Sequence, residues 1–453
     1  MTFLAFDKPG SLAKLPNADS SSSCISSYNG FRKMTSSATT TIIYTAGDPM
    51  HAVEVIHRYI SHREDLLPYA ASVDVFLREQ LDQPPAVELA PRQWLQLRAN
   101  AAKAELLGVD LESRRGGLGL GNLALGIATL VVGMRDPDAR EVFGLGHAEM
   151  VVRHGQPELV DKVVNGVLGF GQLVGVASTE PSGGTDLAGL SCRVAERAGR
   201  WILNGSKGLL SRIDESEGFV VFAKFSPPGR WEEPSNDERR GDPLCAFWVP
   251  GDTSGVVREH IEPMGMRGWS WGYLHFDDVE LDKTFLLGSP DGGRRIFDQH
   301  FTKWRLLMGL ACLGAALGAI SSARQRLCSR RIGQRRLADI PVAAHRLGHS
   351  AVQVDSTISW CLGLLERMDR GDADVVGACG AKALATDVAF HAVDTTIQLF
   401  GAEGYAVNQP FERFLRDIRG LRIADGPNDV LYSVVGRAVV DHPTVSEPPA
   451  PTR

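Results

Sequence analysis

The 453-residue sequence has few cysteines, no run of basic residues and no apolar stretch of comfortable membrane-spanning length. Its seven cysteines, at 24, 192, 245, 312, 328, 361 and 379, are odd in number, far apart and free of any C-x-x-C pair. That spacing argues against a disulfide framework and a cysteine-built zinc site, and it leads to the expectation of a reducing, cytoplasmic setting. A formal charge of -6 and a pI near 6.1 leave no basic face for nucleic acid, so no nucleic-acid partner is expected. The longest apolar run, Leu306 to Ile320, is short for a bilayer and dense in Gly and Ala. It predicts a closely packed bundle helix and no membrane span. His345 and His349 lie four apart with no third ligand at a recognisable spacing, so no metal is assigned. Gly117-Leu-Gly119-Leu-Gly121 has the outline of a dinucleotide loop but lacks the hydrophobic strand that should precede it.

What the chain does have is a 43% hydrophobic composition, enough to build the cores of two or three domains. Residues 1–45 are rich in Ser and Thr and are expected to be disordered; a true start at Met34 would explain them equally well. From 46 to 172 apolar residues recur three and four apart (Val53, Val55, Ile56, Ile60; then Leu123, Leu125, Ile127, Leu130), the period of a helical domain. From 173 to 290 short apolar runs with turn residues between them predict strands. Asn204-Gly205 after Trp201-Ile-Leu reads as a type I′ hairpin turn. Long helical patterns return from 291 to 442, and a Pro-containing tail fills 443–453. The fold class is therefore α+β: an N-terminal helical domain, a middle β-barrel or sandwich, and a C-terminal four-helix bundle.

Five motifs and a pair of arginines carry the functional signal. Ser178-Thr179-Glu180-Pro181-Ser-Gly183-Gly184-Thr185-Asp186 combines hydroxyls with glycines that let backbone N–H groups approach a ligand. Leu203-Asn204-Gly205-Ser-Lys207-Gly-Leu209-Leu210-Ser211-Arg212 follows about twenty residues later. Then come Met266 to Val279, Arg305 and Arg330 on one helical stretch, and Gln398-Leu-Phe-Gly401-Ala402-Glu-Gly404-Tyr405. Last is Pro410-Phe-Glu-Arg-Phe-Leu-Arg416-Asp417 with Ile423-Ala-Asp425-Gly426.

In order and spacing these resemble the acyl-CoA dehydrogenases from about residue 50 to 440. The resemblance implies FAD as cofactor, with Ser178, Thr179, Thr185 and Ser211 beside it. It also implies that Arg330, Gln398, Gly401 and Ala402 serve the adenosine-diphosphate half of a neighbouring subunit's FAD, so the active unit is a homodimer or homotetramer. It places Arg305 and Gly426 near an acyl thioester, of coenzyme A or a carrier protein, and makes Asp425 the base that removes the α-proton. The acyl pocket is expected to be apolar, and an electron-transfer flavoprotein is the expected acceptor. Several residues depart from the pattern: Asp425 for the usual Glu, Pro427 for Thr, Leu209 for an aromatic, Arg212 for Asn, and Ile332-Gly333 for Phe-Gly after Arg330. Trp304 stands where some branches hold an alternative Glu base. Nitroalkane oxidases resemble this family and use Asp as base, so an oxidase or monooxygenase on the same scaffold is the alternative reading.

Overall fold

A computed structural model of the chain describes residues 52–81, 87–226 and 240–441. The expectations for residues 1–45, Met34 and 443–453 fall outside them. Six helices come first: α1 (Ala52–Ile60), α2 (Leu67–Gln80), α3 (Pro91–Lys103), α4 (Gly121–Gly133), α5 (Ala148–His154) and α6 (Pro157–Phe170). Seven strands follow: β1 (Leu173–Ala177), β2 (Arg193–Arg197), β3 (Arg200–Ser211), β4 (Ser216–Phe225), β5 (Leu244–Pro250), β6 (Val256–His260) and β7 (Trp271–Leu281). Then come α7 (Gly293–Ser329), the two-residue strands β8 (Arg331–Ile332) and β9 (Arg335–Arg336), and helices α8 (Pro341–Asp369), α9 (Val375–Phe400), α10 (Phe411–Leu421) and α11 (Asn428–Asp441).

The seven middle strands pair in the order β1-β4-β2-β3-β7-β6, with β5 on the free side of β4. β1 and β4 run parallel, and β3 pairs antiparallel with both β2 and β7. Asn204-Gly205 is not the hairpin turn its sequence predicts. The β2–β3 turn falls at Ala198-Gly199, where both residues have φ above +50°. Asn204 instead lies within β3 at an irregularity in its pairing with β7, its side chain exchanging hydrogen bonds with the backbone and carboxylate of Asp278. The local signal was outweighed by the cross-strand partner, a bulge being the other common use of such a pair.

Helices α1–α4 and α7–α10 pack into one large core with α7 at its centre, touching α4, α8 and α9, while α5 and α6 pack against strand residues in a second core. Small residues allow this. A Cβ on Gly133 of α4 would lie 2.4 Å from the Ala311 carbonyl of α7, and one on Gly314 the same distance from the Leu130 carbonyl. α7 is long and apolar enough to cross a membrane, but 83% of its most apolar window is buried inside the fold. Its first half passes beneath the sheet, and that junction of α7, α9, the α10–α11 loop and residues 136–149 frames the site.

Candidate active site

Asp425 stands on the short loop between α10 and α11 in a left-handed backbone conformation, φ +55°, which Asp tolerates better than most side chains. Gly426 follows at φ +108°. Two cations, the half-buried Arg305 and the buried Lys382, fix the loop by its carbonyls: Arg305 Nε donates to Asp425 O at 3.0 Å, and Lys382 Nζ donates to Gly426 O at 2.8 Å. Lys382 also donates to Asn428 Oδ1 at 3.1 Å, and Asn428 in turn donates to Ala383 O, Thr386 Oγ1 and Asp387 Oδ1. Pro427 closes the loop at no cost, because it precedes the first helical residue of α11. Its carbonyl accepts from Val430 N and Leu431 N.

The Asp425 carboxyl is left without such a partner. Its Oδ2 is buried and meets no hydrogen-bond donor among the described residues. Burial pushes its pKa upward, opposed by the charges of Lys382, Arg140, Arg305 and His300. The same burial lowers Lys382 to about 8, with Asp425 acting the other way. A desolvated carboxyl with a free oxygen, on a backbone that cannot swing away, is the arrangement a proton-abstracting base requires. Lys382 was missed in the sequence, although a lone Lys inside the apolar stretch of α9 was the signal.

The hydroxyls expected to face a flavin lie on adjoining strands. Gly208 N donates to Thr179 O at 3.0 Å, which brings the end of β1 alongside β3. Beneath them a buried ion pair, Lys207 Nζ to Glu180 Oε1 at 3.0 Å, locks the two segments together; Lys207 also donates to Ser178 O. Leu209, at φ +56°, projects outward and is 57% exposed. The half-buried Ser178, Thr179 and Ser211 flank it. An apolar side chain presented to the outside, with hydroxyl donors and acceptors around it, fits the face and heteroatom edge of an isoalloxazine ring. Thr185 is exposed on the following turn.

Arg212, noted in the sequence only as a departure, turns out to be buried. Its Nη1 lies 3.0 Å from Ser211 Oγ and 2.8 Å from Glu141 Oε1, and its guanidinium covers Trp269 at 4.6 Å. It thereby ties the strand end to the helical segment.

A buried cluster of charges lies where the α4–α5 connection meets α7. A small cavity of about 10 Å³, room for about one water molecule, is walled by Leu125, Trp304 and Leu307 together with four ionisable side chains, Asp110, Arg140, Glu141 and Lys303. All four are at least nine-tenths buried. Lys303 bridges Asp110 Oδ2 at 2.7 Å and Glu149 Oε2 at 2.6 Å. Burial would raise Glu141, but Arg212, His147 and Arg140 hold it below the usual carboxylate range. His147 Nδ1 lies 2.9 Å from His300 Nε2, and both rings pack on Trp304. Burial lowers His147 to about 3, so it is neutral. Periodicity cannot reveal this cluster, because its members are drawn together from three separate stretches, 110, 136–149 and 303.

The remaining candidates are far from this junction. Arg330 caps the end of α7, twenty-five residues and roughly 37 Å of helix from Arg305. Gln398, Gly401 and Ala402 are exposed at the end of α9. An ion pair between Arg326 Nη1 and Glu403 Oε2, 2.7 Å, brings these two helix ends together. The Gly117–Gly121 loop leads into α4, whose first amides are taken by Asp369 (2.7 Å to Asn122 N, 2.9 Å to Leu123 N) rather than left open for a phosphate. His345 and His349 stack on the exposed face of α8. Asp136, Asp138 and Asp417 converge within 4.8 Å, but Arg413 fills the place of a cation, 2.8 Å from Asp136 and 3.4 Å from Asp417.

Models of the acyl-CoA dehydrogenase middle domain and C-terminal domain match residues 175–279 and 291–440, together more than half of the chain. Among solved structures, butyryl-CoA dehydrogenase from Megasphaera elsdenii superimposes with a TM-score of 0.75 at 21% identity, over 83% of this chain and 98% of that one. Glutaryl-CoA dehydrogenase from Mycobacterium smegmatis gives 0.74 at 20%, over 87% and 99%. The prolyl acyl carrier protein oxidase AnaB gives 0.72 at 17%, over 83% and 99%. At such identities the superpositions establish the fold, and the two matched domain models establish the lineage. The chain belongs to the acyl-CoA dehydrogenase family and is a flavoenzyme oxidoreductase with FAD as its cofactor.

Proposed function

We propose that the protein desaturates an acyl thioester at the α,β position, with Asp425 taking the α-proton. The observation that carries this reading is the unpartnered, buried Oδ2 of Asp425 on a loop clamped by Arg305 and Lys382. When bound, FAD supplies the acceptor for the β-hydride. Thr179 and Ser211 orient the ring through their hydroxyls, Ser178 and Thr185 border it, and Arg305 and the Gly426 backbone lie toward the thioester. Arg330, Gln398, Gly401 and Ala402 hold the distal half of the cofactor of a partner subunit, making a homodimer or homotetramer the working unit. The thioester is carried by coenzyme A or by a carrier protein, and an electron-transfer flavoprotein takes the electrons.

The test is the visible spectrum of the anaerobic holoenzyme during titration with acyl-CoA and acyl-phosphopantetheine thioesters. Loss of the oxidised-flavin absorbance supports the reading; an unchanged spectrum with every thioester overturns it.

One feature favours oxygen as the electron acceptor instead. Leu209, where an aromatic is usual, leaves the outer face of the ring less covered, and AnaB, which shares the fold, is an oxidase. Hydrogen peroxide formed in air after thioester reduction supports this second reading.

A further inference from the structure

Asp425 lies midway along a stretch whose two ends meet on one carboxylate oxygen. Arg422, at the end of α10, donates from Nε to Asp387 Oδ1 at 2.7 Å, and Asn428, at the start of α11, donates from Nδ2 to the same oxygen at 3.0 Å. The backbone closes the ring, because Asn428 N donates to Arg422 O at 3.1 Å. Arg422 is further held over the Phe390 ring, 5.2 Å from its centroid. Tyr432, one turn along α11, donates to the other oxygen, Asp387 Oδ2, at 3.1 Å. Asp387 belongs to α9, little more than a turn beyond the Lys382 that holds the Gly426 carbonyl.

The stretch needs such a pin. Asp425 and Gly426 are both left-handed, at φ +55° and +108°, so no continuous helical ladder carries α10 into α11. Lys382 and Arg305 hold the carbonyls in the middle of the loop, while Asp387 fixes where the chain leaves one helix and enters the next. Magnitudes decide where that matters. The Arg422 and Asp387 side chains are 31% and 23% exposed, and an ion pair so placed adds little to stability. A reacting group displaced by about 1 Å, in contrast, can lose about 10²-fold in rate.

We propose that Asp387 is a positioning residue for Asp425: by gathering Arg422 and Asn428 on one oxygen it sets where the Asp425 carboxyl stands, acting through the loop and not on the reacting atoms. This inference rests on the reading of Asp425 as the base. Anaerobic flavin reduction by the best thioester, with the thioester dissociation constant measured alongside, tests it in the FAD-loaded protein. Asp387→Ala is expected to slow reduction by about 10–100-fold, with the dissociation constant within about twofold and the melting temperature near that of wild type. Asp387→Asn, whose amide oxygen accepts both hydrogens, is expected to recover the rate to within about threefold. Tyr432→Phe, which removes only the bond outside the loop, is expected to leave the rate unchanged. In an Asp425→Asn background Asp387→Ala is expected to cost nothing further, because the group it positions is gone. A wild-type rate in Asp387→Ala overturns the inference, as does an equal loss in Tyr432→Phe or a full further loss in the Asp425→Asn background. Should Asp387→Ala fail to fold, Arg422→Ala, which removes one half-exposed arm of the pin, takes its place with the same expectation and the same contrary result. A wild-type rate in Asp387→Ala beside an inactive Asp425→Asn defeats only this inference, whereas a wild-type rate in Asp425→Asn defeats both.

Discussion

Arg305 donates its Nε hydrogen to the backbone carbonyl of Asp425 at 3.0 Å, joining residues 120 positions apart in the chain. The guanidinium thus grips the loop and not the carboxyl, which leaves the Asp425 oxygens free for a proton. With Lys382 holding the next carbonyl, the position of Asp425 is set by the backbone. Under the proposed reaction this gives a physical reason for the shorter Asp: its reach is fixed by a loop that two helices hold in place.

Replacing Asp425 by Asn keeps the size of the side chain and its tolerance for left-handed backbone. We expect the rate of flavin reduction by a thioester to fall by about 10²–10⁴-fold with FAD content unchanged, measured by anaerobic stopped-flow absorbance.

The same substitution changes stability in a pH-dependent way. Asp425's folded pKa is raised, so the folded state favours its neutral form. That contribution is fully present below the ordinary carboxylate pKa and is lost as pH rises through the raised folded value. Asp425→Asn is therefore expected to melt at a higher temperature than wild type at neutral pH, with the difference vanishing in acid, by calorimetry across a pH series.

Lys382→Met removes both the clamp on Gly426 and the charge that most strongly opposes Asp425's upward shift. Activity is expected to fall, and the acid limb of the pH–rate profile to move to higher pH, since a carboxyl without its cation ionises later. A profile that falls in amplitude without moving would mean that Lys382 acts on the loop alone.

How far the site could be read from the sequence depended on distance along the chain. Asp425, Thr179 and Ser211 lie in compact motifs whose residue types carry their chemistry locally, and the alternation of helical and strand periods marked the three-part order. Asn204-Gly205 misled because a two-residue signal is blind to Asp278, its partner across the sheet. The buried cluster of charges around Lys303 was hidden for the same reason on a larger scale. Arg140 and Glu141 meet Asp110, Lys303 and Arg212 only after folding, and a charged residue in a helical stretch is otherwise read as solvent-facing.

The Lys207–Glu180 pair holds together the two segments beside the proposed ring position, and both side chains are essentially inaccessible. Lys207→Met leaves Glu180 charged and buried, a loss of about 3–5 kcal/mol in systems of this kind. A lower melting temperature and a protein that loses FAD on gel filtration are expected; unchanged FAD retention would separate this pair from the cofactor.

Arg330→Ala is expected to raise the FAD dissociation constant about tenfold or more, the loss of one charge-assisted hydrogen bond, while leaving the monomer's thermal unfolding without FAD unchanged. Fluorescence titration of the apoprotein measures it.

The role of Asp425 is tested most directly by α-proton exchange. The holoenzyme is incubated anaerobically in D₂O with the thioester that best bleaches its flavin, and deuterium at the α-carbon of recovered thioester is followed by mass spectrometry. Wild-type protein is expected to introduce α-deuterium and Asp425→Asn to introduce none above the uncatalysed background. Exchange at the wild-type rate in Asp425→Asn would contradict Asp425 as the base.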